Sequence, residues 1–212
     1  MALKTNDDYF ILCSCDTDDL TMYNEDVQKR LLDNPKYKNV VVFWGLSKGK
    51  VHSINRNLGE PTFKMLYEEY PITKDWKYLV LLSDDMVLQP GFDIEIPKAF
   101  EDGFSGLVHF PDGVANERLC TFSVMDRAYF EELGHIYNPV YTSIGCDNEQ
   151  HEMAVLQKRY KYVPVTIVKH LHPAYGHAPN DDLYRRNEHP SLYAKDLETL
   201  RNRRAINFGL NV

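Results

Sequence analysis

The 212-residue sequence has no apolar run approaching the roughly 20 residues that a membrane-spanning helix needs. Its start, MALKTNDDYF, lacks the apolar core of a secretory signal. A soluble, cytoplasmic protein with no membrane span is therefore the expectation. An excess of positive charge is also missing. The 24 basic side chains stand against 31 acidic ones, a net charge of −7, which argues against broad attraction to phosphate backbones or anionic membranes. Cysteine is scarce and scattered: Cys13, Cys15, Cys120 and Cys146 form neither the CxxC pairs of a zinc site nor a dense disulfide framework, so reduced, partly buried thiols are expected. No internal repeat or low-complexity tract occurs. The length suits one domain with a substantial core, without a second.

What is present is a series of solid apolar runs. Phe10 to Ser14 reads as a first strand that ends in the polar stretch Asp16 to Asp19, and Tyr23 to Leu32 has helical spacing. Val40 to Trp44 is a second buried strand, followed by the glycine-bearing loop Gly45 to Lys50, the stretch VHSINRNL and a helix from Pro61 to Tyr70. Tyr78 to Leu82 is apolar without alternation, which predicts a third strand covered on both faces. Strand, helix, strand, helix, strand predicts an α/β fold with a mostly parallel sheet flanked by helices, its loops meeting at one edge. The second half is more mixed. Strands are expected at Phe104 to Phe110, Leu119 to Val124 and Tyr162 to Lys169, with antiparallel additions. Helices are expected at Arg127 to Leu133, Asp147 to Tyr160 and about Ser191 to Arg204.

The third strand stops on two acids, in KYLVLLSDDMVLQPGFD. A carboxylate cannot follow the run into the core without a partner, so Asp84 and Asp85 belong at or past the strand's C-terminal end, the edge where open α/β sheets bind ligands. They either open the turn to Gln89-Pro90-Gly91 or hold a cation. His170 and His172 in KHLHP stand two apart, so an extended backbone turns both rings to one face, either for metal or phosphate duty or as a hydrogen-bonded pair in a polar loop. A carboxylate, a histidine and phosphate oxygens together would suit Mn or Mg with a nucleoside diphosphate. In GCDNEQHEM, Asp147 and Gln150 fit a capping box; a rigid helix start also suits a general base, with Glu149 as the second candidate. Lys48, Lys50, Asn55 and Arg56 either meet a diphosphate or form a solvated helix start. The segment HPAYGHAPNDDLYRRN, with His177, Asp181, Asp182, Arg185 and Arg186, is long enough for a lid or is an exposed tail. Arg201, Arg203 and Arg204 read as a solvated face or a complement to the helix dipole.

LLSDDMVLQPGFD resembles the aspartate motif of the GT-A glycosyltransferases, family 2-like enzymes in particular. RAYFEELGHIYNPVYTSIGCDNEQHEMAVLQKRY is similar to that family's acceptor-side segment, KHLHP to its downstream histidine position, and SKGKVHSINRNL to the loop and helix that meet the nucleotide. The resemblance spans most of residues 10 to 177. It implies a single Rossmann-like GT-A catalytic domain over 1–212, with a nucleotide-sugar half at 10–110, an acceptor and metal-completing half at 111–190 and a C-terminal helix at 191–212. It implies a metal-dependent hexosyl- or pentosyltransferase that moves a sugar from a nucleoside diphosphate sugar to an acceptor hydroxyl, on a saccharide or, less readily, a modified nucleic acid. Asp147 would then be the base with Glu149 behind it; Asp85, His170 and His172 would bind Mn2+ or Mg2+; Cys13, Ser14, Asp16, Trp44, Lys48, Lys50, Asn55 and Asp84 would meet the donor. Two positions depart from the family pattern. The second strand ends in Phe43-Trp44-Gly45 without an acid to read a nucleobase, and Ser83 stands where a first acid is common. A nucleotidyltransferase and a non-catalytic nucleotide- or carbohydrate-binding module are the alternatives; against the former, the first loop, SCDTDDL, is acidic where such enzymes carry glycine and basic residues.

Overall fold

The apolar runs assemble into a mixed α/β architecture, seen in a computed structural model that describes residues 9–32, 39–173, 176–177, 185 and 189–211. Strand β1 (Ile11–Asp16) lies parallel to β2 (Val40–Gly45), with Ile11 opposite Val40 and Asp16 opposite Gly45. Helix α1 (Glu25–Leu32) intervenes; α2 (Lys50–Asn55) and α3 (Glu60–Glu69) follow β2. The expected strand–helix alternation is present to this point.

The third strand departs from the expected parallel order. β3 (Tyr78–Val80) pairs antiparallel with β6 (Val124–Asp126), which pairs antiparallel with β5 (Leu107–His109), and β5 runs parallel to β7 (Tyr160–Tyr162). A separate antiparallel pair joins β4 (Met86–Leu88) to β8 (Val168–His170). Three of the five strand pairings among the described residues are thus antiparallel, so the sheets are mixed and not mostly parallel. The stretch Tyr162 to Lys169 divides between two sheets around Pro164, whose ring nitrogen has no hydrogen to give a ladder. The Leu119 to Val124 strand begins only at Val124. Helices α4 (Phe92–Lys98), α5 (Arg127–Leu133), α6 (Cys146–Leu156) and α7 (Pro190–Ala205) complete the fold. Among the described residues no helix is long and apolar enough to cross a membrane.

The four-stranded sheet is covered on both faces, as the unbroken apolar run predicts. Leu79, Leu107 and Met125 pack into one core cluster with Tyr129, Tyr137, Met153 and Leu200; their neighbours Tyr78, Val80, Val108 and Val124 pack into a second with Ile96, Phe100, Phe110 and Ile167. Alternate residues of each strand point to opposite faces, which is why the run that forms β3 is apolar without alternation.

His109 is embedded in this framework, 1 % exposed, with Nδ1 hydrogen-bonded to the Tyr160 hydroxyl at 2.7 Å. Burial, then the like charge of His151, pushes its pKa down to about 4. A histidine whose folded pKa is depressed stabilises the fold above its ordinary value of 6.5, and that contribution is lost as pH falls from 6.5 through about 4. One such proton corresponds to a slope of about 1.4 kcal/mol per pH unit. Denaturant midpoints should fall across this window, and His109→Gln should flatten the fall by one proton's share; an unchanged slope would remove His109 from the account.

Candidate functional site

The turn after β3 carries Ser83, Asp84 and Asp85, and β4 returns from it to pair with β8. That pairing puts Met86 opposite His170, so the acid at one strand's start meets the histidine at the other's end. Asp85 Oδ2 lies 3.2 Å from His170 Nε2, and the Asp85 carbonyl accepts the Leu171 amide at 2.7 Å. The Ser83 hydroxyl, at the position where a first acid is common, donates to Asp85. Asp84 is exposed beside it. His172 stands edge-on to His170, ring centroids 5.0 Å apart.

Behind His170 is a residue that the sequence reading did not single out. Asp112, 1 % exposed, accepts the Nδ1–H of His170 on Oδ2 at 3.0 Å and the Thr121 hydroxyl on the same oxygen at 2.7 Å. Its Oδ1 accepts the amides of Val114, Ala115 and Asn116 at 2.8, 2.8 and 3.2 Å. The only sequence signal is Asp112-Gly113, an ordinary turn pair. Burial disfavours charge on all three side chains, but their mutual hydrogen bonds outweigh it: Asp85 is drawn down to about 2, Asp112 falls well below the carboxylate range, and His170 rises to about 9. The ring is held as an imidazolium between two carboxylates.

These atoms suit a divalent ion in part. Two neighbouring ligands of an octahedral ion, each at about 2.1 Å, stand roughly 3 Å apart, close to the 3.2 Å between Asp85 Oδ2 and His170 Nε2. A buried carboxylate on the far ring nitrogen is the usual support of a metal-binding histidine. Among the described residues, however, no group of three or more His, Cys, Asp or Glu side chains is gathered to hold an ion. Asp85 and His170 converge, and His172 stays to one side.

Helix α6 supplies the two candidate bases, and they differ sharply. The N-cap is Gly145 in the left-handed region, so Asp147 sits inside the first turn and the expected Asp147–Gln150 capping box does not form. Gln150 is buried instead, bonded to the Ser123 hydroxyl and the Ile136 carbonyl, both at 2.5 Å. Glu149, 1 % exposed, is spent on structure: it accepts Asn138 Nδ2 and the Tyr141 hydroxyl at 2.7 Å each and pairs with Arg203 at 2.5 Å. Asp147 is half-buried, and one carboxylate oxygen accepts the Asn148 amide at 2.9 Å. Its charge helps burial raise the pKa of Cys120, Cys146 and Tyr137, so it lies beside the Cys120–Thr121 segment that leads to Asp112.

The loop after β2 reaches this helix start. The Val51 amide donates to the Thr142 carbonyl at 3.1 Å, and Gly49, at φ 108°, approaches so closely that a Cβ there would lie 2.6 Å from Thr142 Cγ2. Lys48 on this loop and Lys50 at the start of α2 are exposed, and the Lys50 charge is felt at Cys146. Trp44 packs tilted against Tyr23, ring centroids 5.3 Å apart. The other donor candidates are committed internally. Asn55 bonds the Tyr137 carbonyl at 2.6 Å and the Ile136 amide at 3.0 Å. Asp16 pairs with Arg56 at 3.1 Å and accepts Ser53 Oγ at 2.7 Å; the Ser14 hydroxyl donates to the Ser53 carbonyl at 2.6 Å and accepts Arg56 and Asn57. Cys13 and Cys15 are half-buried, and burial raises both thiols, Cys15 to about 11. Arg203 binds the buried Glu149 and so is not a solvated side chain, while Arg204 is exposed and pairs with Glu152; both stand in the last turn of α7, where they complement the helix dipole as the second expectation has it. Asp181, Asp182 and Arg186 of the expected lid lie outside the described residues.

The two acids of α6 should separate in stability. Glu149→Gln leaves Arg203 and Tyr141 with a poorer acceptor and should cost roughly 2–4 kcal/mol; Asp147→Asn, at a helix start, should cost about 1 kcal/mol or less. Urea midpoints check this, and equal losses would contradict the division. No family model matches the chain, and neither does any curated protein or solved structure.

Proposed function

We propose that the chain is a glycosyltransferase of GT-A type that passes a sugar from a nucleoside diphosphate sugar to an acceptor hydroxyl, with inversion and with Mn2+ or Mg2+. The reading rests on one observation above the others: Asp85 and His170, 85 residues apart, face each other at 3.2 Å across an antiparallel strand pair. In this reading Asp85 and His170 hold the ion, with His172 beside them. A bound divalent ion supplies charge stabilisation to a departing diphosphate.

The chain's own residues divide the remaining work. Asp147, fixed in the first turn of α6, takes the proton of the acceptor hydroxyl, and a base opposite the leaving group gives inversion. Glu149 has no part in proton transfer, because its oxygens already serve Asn138, Tyr141 and Arg203. Lys48 and Lys50 approach the phosphates, and Trp44, already against Tyr23, offers an aromatic face to the base. Ser14, Asp16 and Asn55 act behind the donor by fixing β1 and α2. The acceptor is a saccharide in this reading. We place the reaction in the cytoplasm, where the four free thiols stay reduced.

The test has two arms. Melting with a panel of nucleoside diphosphates plus Mn2+ should give stabilisation that the corresponding monophosphates do not match and that Asp85→Asn abolishes. With the donor so identified, Asp147→Asn should lower turnover by roughly a hundredfold or more while leaving donor affinity in place. Full turnover in excess chelator sinks the cation; unchanged turnover in Asp147→Asn sinks the base.

A further inference from the structure

We propose that Asp112 is the positioning residue of the cation pair: by keeping the proton of the neutral His170 ring on Nδ1, it makes Nε2, the nitrogen that faces Asp85, the one that binds the ion. This rests on the reading of Asp85 and His170 as the site of a divalent cation, and it adds a residue that no motif in the sequence marks.

The two oxygens of Asp112 have separate duties. Oδ1 is filled by three consecutive amides, those of Val114, Ala115 and Asn116, which fix the turn after β5. A turn of this kind asks for one acceptor, which Asn or Ser can also supply. Oδ2 goes beyond the turn's needs. It reaches Thr121 Oγ1 at 2.7 Å and His170 Nδ1 at 3.0 Å, while the Asp112 carbonyl accepts the His170 amide at 3.0 Å. His170 is therefore gripped by the same residue at its backbone and at its ring. A neutral imidazole carries one proton, and the nitrogen without it is the ligand. With a buried carboxylate at Nδ1 the proton stays there and Nε2 faces Asp85 Oδ2.

The geometry also says what an amide would do. In Asp112→Asn the three backbone donors hold the side-chain oxygen where Oδ1 now stands, so the NH2 must face His170. A donor at Nδ1 forces the proton onto Nε2, which then cannot bind a cation. The change is nearly isosteric and keeps the turn. Thr121→Val removes the other hydrogen bond on Oδ2 and leaves the carboxylate against the ring, so it controls for packing.

The experiment titrates the full chain with Mn2+ alone and follows the free ion by electron paramagnetic resonance. Asp112→Asn should bind Mn2+ roughly tenfold to a hundredfold more weakly than the unsubstituted chain, and Thr121→Val should bind it nearly as well. Unchanged affinity in Asp112→Asn overturns the role of Asp112 and leaves the cation reading standing; equal losses in both variants assign the effect to the turn and overturn it as well. Failure of the unsubstituted chain to take up Mn2+ strikes the cation reading itself and the role of Asp112 with it. A measurement without any substitution covers a variant that does not fold. Nitrogen-15 shifts of His170 in the metal-free chain, at a pH alkaline enough to neutralise the ring, should show the proton on Nδ1. A proton on Nε2 overturns the proposal.

Discussion

Backbone that leaves regular structure inside a protein must still find partners for its amides, and in this fold buried carboxylates provide them. Asp196, fully buried on α7, accepts the Thr142 amide at 3.1 Å on both oxygens, the Ser143 amide at 2.7 Å and the Ile144 amide at 3.0 Å. A carboxylate out of water is costly, and only several charge-assisted hydrogen bonds offset it. Once Thr142 to Ile144 are held, Gly145 can turn through the left-handed region and α6 begins with Asp147 in its first turn. The same loop receives α2 through the Thr142 carbonyl. The placement of the proposed base and of the basic loop after β2 therefore depends on one acid near the end of the chain. Asp112 repeats the device after β5, where three consecutive amides fix its turn.

Helix α7 works as a strut because its inner face is polar. Asp196, Leu200, Arg203 and Arg204 follow helical spacing, so they share a face. Leu200 is buried with Cys146 and Met153, and on the same face Asp196 takes the loop while Arg203 and Arg204 reach Glu149 and Glu152. Glu149 and Glu152 are three apart on α6, one turn, and so match two successive arginines on the facing helix.

That polar face explains why the helix was legible and its role was not. Helical spacing is local, and α5 was read over its full Arg127–Leu133 range because its apolar residues recur with the helical period. The two-faced burial of β3 was likewise legible in five apolar residues without alternation. Arginines that pair with acids of another helix look in sequence like solvated arginines, since the partner lies about 50 residues away. The three-residue strands β4 and β8 are too short to carry a period, and their pairing decides the meeting of Asp85 and His170. The two motifs were visible as Asp84-Asp85 and His170-x-His172. Asp112 was not, because a turn aspartate and a histidine-orienting aspartate have the same local sequence.

The partners chosen for each acid separate structure from chemistry. Asp16, Glu149 and Glu152 are matched to arginines, which stay protonated at any pH the fold survives. Asp85 and Asp112 share a histidine instead. An imidazole can release its Nε2 proton and keep its place through Nδ1, so Asp85 is the acid that can exchange its positive neighbour without disturbing the fold. In a chain with net charge −7, a diphosphate gains nothing from the overall field and must be met locally. Screening reduces exposed charges beyond roughly 8–10 Å to a small effect, so the charges nearest an anion decide, and Lys48 and Lys50 are exposed after β2. Two carboxylates share one histidine, so this cluster is not itself positive, and in the proposed reaction it would meet a diphosphate through the bound cation.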